Sequence, residues 1–116
     1  MESIAELSSL TRIQVETLQL HLSVQKAEIN LQNALKKRKN VAISRGTHYR
    51  ILSQAKKNIK ESLFTVAIAA QLGLVKPDDV QKLMASISVI PANVDPEKLP
   101  EVLALINILV DRIVMF

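Results

Sequence analysis

The chain has 116 residues, 48% of them apolar, with two Phe, one Tyr and no Trp; this composition can build one hydrophobic core and excludes a disordered polymer. It contains no cysteine, which excludes disulfides, thiol nucleophiles and thiolate-held zinc or iron–sulfur centres. The formal net charge of +4 is segregated: nine of the fifteen Lys/Arg residues fall in the window 36–60, which has no Asp or Glu, so that window carries +9 and the remainder −5.

The predicted elements begin with Ser3-x-x-Glu6, which has capping-box spacing, and neither Gly nor Pro follows until Gly46. A long first helix is therefore expected over 3–39. Leu10, Ile13, Thr17, Leu20, Val24, Ala27, Leu31 and Ala34 repeat at steps of three and four, a coiled-coil-like seam broken by Thr17. Val15, Leu18, Leu22 and Ile29 form a second seam on the opposite side, so both sides need cover, from a neighbouring layer or from another subunit. The acidic, amphipathic start lacks the pattern of a secretory signal, and a cytoplasmic location is expected.

Around 39–43 the basic run and β-branched residues weaken helix propensity, and Ser44 can cap a restart. A second helix is expected over 44–72, with Tyr49, Leu52, Lys56, Ile59, Leu63, Val66 and Ala70 as its seam and Gly73 as the left-handed residue past its end. Up to about Ser62 it should be two-faced, with Gly46, Arg50, Ser53, Gln54 and Lys57 on the polar side. From Leu63 to Ala70 it is apolar all round, which predicts deep burial of that end.

A third helix is expected over 77–87, opened by Pro77, with Asp78 and Asp79 at the positive end of its dipole. A loop around Pro91 follows, and then a last helix over 97–115 that starts near Asp95-Pro96 or only at Pro100. Its body, Val102 to Val110, is apolar nearly all round. Asp111 and Arg112 cut it short of the roughly 20 residues a bilayer requires, so it should be buried or lie between subunits, with no membrane insertion. The expected fold is one all-α, four-helix bundle-like domain over 1–116, assembled as a homo-oligomer.

The string Ile43-Ser44-Arg45-Gly46-Thr47-His48-Tyr49-Arg50-Ile51-Leu52 resembles the turn and recognition helix of helix-turn-helix DNA-binding proteins, in which Ile-Ser-Arg-x-Thr-x-Tyr-Arg opens the helix that enters the major groove. The resemblance covers ten residues. It implies that Arg45, Gly46 and His48 lie near base edges and Tyr49 and Arg50 near phosphate. Lys37 and Arg38 stand where that family has an apolar and a small residue, so a long basic helix reading phosphate in another geometry is the alternative.

Lys36-Lys37-Arg38-Lys39 suits phosphate neutralisation, although cations also complement a helix C-terminus. Tyr49 could stack on a base, but its place in the seam favours core packing. His21 and His48, on different predicted helices with no acidic residue at ligand spacing, give no metal site, and two glycines leave no phosphate loop or nucleophile elbow. No cofactor and no enzyme activity are expected.

The expected function is nucleic-acid binding, with duplex DNA favoured over RNA because stacking aromatics are few, as a transcription regulator or chromatin-type factor. The contact residues would be Lys36, Lys37, Arg38, Lys39, Arg45, His48, Arg50, Lys56, Lys57 and Lys60. The alternative is a helical scaffold or adaptor that binds another protein. Peripheral attachment to an anionic membrane ranks third, because the face beside the cations is expected to lack an exposed Trp or Phe.

Overall fold

A computed structural model describes residues 4–27, 29–36, 43–90 and 95–116. About three quarters of these are α-helical and none lies in a strand. The chain divides into two compact units, residues 2–62 and 63–116.

In the first unit a single helical turn, α1 (Ile4–Leu7), packs on α2 (Arg12–Gln25), and α2 packs on α3 (Leu31–Lys36). The continuous first helix expected over 3–39 is thus interrupted twice, without Gly or Pro. At the first break the Ser8 hydroxyl accepts from the Leu10 amide at 3.1 Å, and Thr11 opens α2 with a reciprocal capping box. There the Thr11 Oγ1 accepts from the Gln14 amide and the Gln14 Oε1 accepts from the Thr11 amide, both at 3.1 Å. An exposed Arg12–Glu6 ion pair at 2.9 Å ties α1 to the start of α2. At the second break Ala27 takes a left-handed φ of 58°, and the Asn30 Oδ1 accepts from the Asn33 amide at 2.8 Å to restart the chain as α3. Short polar side chains offered the backbone local partners that compete with helix continuation. The capping role expected of Ser3 lies outside the described residues.

Helix α4 (Arg45–Gln71) starts where Ser44 was expected to cap it: the Thr47 amide donates to the Ser44 Oγ at 3.1 Å. Its portion up to Ser62 belongs to the first unit. The Asn58 side chain donates to the Ser9 carbonyl at 2.7 Å and to the Gln14 Oε1 at 3.4 Å, while the rings of His48 and His21 lie 6.4 Å apart. Contacts that descend α2 as they ascend α4 make the two helices antiparallel. The small core of this unit consists of Thr17 on α2, Ala34 on α3, and His48, Leu52 and Ala55 on α4, all buried. Thr17, which breaks the apolar seam in sequence, is wholly buried, and its hydroxyl donates to the Ile13 carbonyl at 2.8 Å. That bond satisfies the polar group within its own helix.

In the second unit the last turns of α4 end at Gly73, whose φ of 77° is the left-handed conformation expected of it. The Gly73 amide donates to the Ala70 carbonyl and the Leu74 amide to the Ala69 carbonyl, each at 3.0 Å, closing a Schellman motif. Helix α5 (Pro77–Ser88), with Pro77, Asp78 and Asp79 in its first turn, packs on α6 (Leu99–Ile113), whose first turn holds Pro100. Proline is accommodated there because the first-turn amides need no intrahelical acceptor. Val75 and Ile106 are buried.

Two burial expectations fail in this unit. Leu63 to Ile68 were expected to be deeply buried, yet all six are exposed, Phe64 at 64%. On α6 the apolar circumference is half covered: Ile106 is 6% exposed, but Leu105 is 57% and Ile108 52% exposed. Two shorter helices and one helix end offer too little surface to enclose an element that is apolar on every side. No helix among the described residues is long and apolar enough to cross a membrane.

Candidate nucleic-acid interface

The exposed face of α4 follows from its buried one. His48, Leu52 and Ala55, at steps of four and three, form its buried stripe, with His48 against His21 of α2. At 100° per residue, Arg45, Arg50, Lys56, Lys57 and Lys60 then fall within an arc of about 140° whose centre lies about 120° around the helix from that buried stripe. All five are exposed. From Arg45 to Lys60 they span sixteen residues, or about 22 Å along the axis, somewhat over half a turn of duplex DNA. Gly46 and Ser53, small and exposed, lie among them and leave the face open to close approach.

Charge on this face is little compensated. Lys57 reaches the Glu61 Oε1 one turn away at 3.9 Å, a long and exposed pair. Among the described residues, Arg45, Arg50, Lys56 and Lys60 have no carboxylate partner within 4.0 Å. Lys36, in the last turn of α3, is also exposed. Lys37, Arg38 and Lys39, the rest of the expected phosphate cluster, lie outside the described residues.

Two residues exchange the places expected for them. His48, expected near base edges, is wholly buried: its ring faces His21 and stands edge-on to Tyr49 with centroids 5.6 Å apart. Its side chain is therefore packed inside the first unit and is not presented to a ligand. Tyr49, expected in the core, is 47% exposed and stands inside the cationic arc beside Arg45 and Lys56. The residue missed by sequence reasoning is thus an aromatic ring among the cations of the basic face. The available signal was Lys56: a seam through Tyr49 and Leu52 requires a lysine at its third position, whereas one through His48 and Leu52 requires Ala55.

Phe64, one turn beyond Lys60 on α4, is exposed as well, so the ground for setting peripheral membrane attachment aside does not hold. Among the described residues no group of three or more His, Asp or Glu side chains could hold a metal ion. Compared with known proteins, the chain gives no significant match to a protein-family model, a curated protein or a solved structure.

Proposed function

We propose that this protein binds nucleic acid non-enzymatically, duplex DNA in preference to RNA, as a homo-oligomeric regulator or chromatin-type factor. The observation that carries the reading is the single exposed arc of Arg45, Arg50, Lys56, Lys57 and Lys60 on α4. Five cations along one rigid helix match a row of phosphates, and their neutralisation releases condensed counterions, which supplies affinity without base-specific contacts. Arg45, at the helix start, is the base-reading candidate; Arg50 and Lys57, one heptad apart, are phosphate contacts together with Lys36–Lys39.

A second reading, a helical scaffold, draws on a different observation, the exposed apolar side chains of residues 63–116. A retardation assay with duplex DNA, single-stranded DNA and RNA at two salt concentrations, run beside sedimentation with anionic vesicles, separates these classes. Salt-dependent retention of duplex is the expected result. Retention of none of the three polymers at low salt by folded protein would overturn the proposal, and selective sedimentation with vesicles would transfer the basic face to a lipid surface.

A further inference from the structure

On α6 the residues Glu101, Leu105, Ile108 and Arg112 are all exposed, and their steps of four, three and four gather them within about 60° around the helix axis. This stripe is distinct from the face that carries buried Ile106. It ends in an acid on one side and a base on the other, with two large apolar side chains between them. Among the described residues neither Glu101 nor Arg112 has an ion-pair partner.

Such a stripe complements itself. If a second copy of α6 lies antiparallel across it, with the twofold axis midway between Ile106 and Asn107, residues whose numbers sum to 213 face each other. Leu105 then meets Ile108 of the second copy, and Glu101 meets Arg112 of the second copy, twice by symmetry. A parallel arrangement would set Glu101 against Glu101 and Arg112 against Arg112. Isologous contact is the usual form of a closed homodimer.

We infer that α6 is the homodimer seam of this protein, an antiparallel pairing with Leu105 and Ile108 at its centre and Glu101–Arg112 pairs closing both ends. The inference rests on the homo-oligomer reading above and names the surface and the partner, a second copy of this chain. The centre of the stripe carries two large apolar side chains that one copy leaves in water, Leu105 at 57% and Ile108 at 52% exposed, and the charges at its two ends are of opposite sign, as an antiparallel self-pairing requires.

The test uses the full chain and two charge reversals, Glu101→Arg and Arg112→Glu, followed by analytical ultracentrifugation. Wild-type protein sediments as a dimer, and each variant alone dissociates on the order of tenfold or more readily, because both end pairs become like-charged. Mixed in equal amounts, the two variants recover the dimer, since every acid again faces a base. As the chain has no cysteine, a lone Leu105→Cys is a second, charge-neutral probe. A short bis-maleimide should join it to its copy, whereas Gln81→Cys, exposed on α5, should stay unlinked.

Circular dichroism establishes that the variants fold; if the reversals unfold the chain, the cysteine pair decides. Dimers that ignore both reversals, or variants that fail to recover on mixing, overturn the seam while leaving the homo-oligomer intact. A wild-type monomer at high micromolar concentration overturns both.

Discussion

Replacing Arg50 and Lys57 together by Gln tests the basic face of α4 at its two best-matched positions. They lie seven residues apart, about 10 Å along the axis and within about 20° around it, and both are exposed. Substitution should leave folding stability within about 0.5 kcal/mol, apart from loss of the exposed Lys57–Glu61 pair, worth at most about 1 kcal/mol. Binding is a different matter. Each phosphate contact contributes about 0.9 to the slope of log affinity against log salt, so losing two should flatten it by about 1.8. Between 50 and 200 mM salt, a fourfold change, the wild type should therefore lose about twelvefold more affinity than the double variant. Fluorescence anisotropy on a labelled duplex across a salt series measures this directly. Lys76 and Lys82, exposed in the second unit, are the control pair, and their conversion to Gln should leave the slope unchanged. If the Arg50/Lys57 variant kept both the affinity and the slope of the wild type while folded, the arc would be a solvated surface and the phosphate argument would be refuted.

Arg45→Ala should reduce the preference between duplex sequences by about 1–3 kcal/mol if the guanidinium makes a bidentate guanine contact, as read by competition between duplexes of different sequence. Tyr49→Ala should cost about 1–3 kcal/mol on single-stranded ligands if the exposed ring stacks on a base, and much less on duplex, which the same assay compares. Gly73→Ala should destabilise the fold by about 1–2 kcal/mol in urea denaturation: beyond its immediate chain neighbours no atom lies within 4 Å of the added methyl, so the cost comes from the positive φ. Ile106→Ala should cost about 2–5 kcal/mol of stability by opening a cavity in the second unit, whereas exposed Leu105→Asp should leave the monomer folded and change sedimentation instead.

Much of the helical layout was legible in the sequence because it rests on local chemistry. Ser44 capping α4, Gly73 ending it in a left-handed turn, and Pro77 with two aspartates opening α5 each depend on residues within one turn of one another. The clustering of cations in 36–60 was equally plain, since charge needs no fold to be counted.

The breaks of the first long helix at Ser8–Thr11 and after Ala27 are local as well, set by side-chain caps and a positive φ that an unbroken apolar periodicity conceals. Two things were decided by tertiary structure. Burial on α4 runs through His48, Leu52 and Ala55 and not through Tyr49 and Lys56, because both stripes have helical spacing and only the antiparallel neighbour α2, with His21 and Gln14 in contact, selects between them. That one-residue choice takes His48 out of the candidate interface and brings Tyr49 into it. Finally, an all-apolar segment such as Leu63–Ala70 states a demand for cover without naming what supplies it. The fold of one chain leaves Leu63–Ile68 in water, because apolar periodicity records which surfaces must leave water, whereas which neighbour removes them depends on the packing partners that chain length and topology make available.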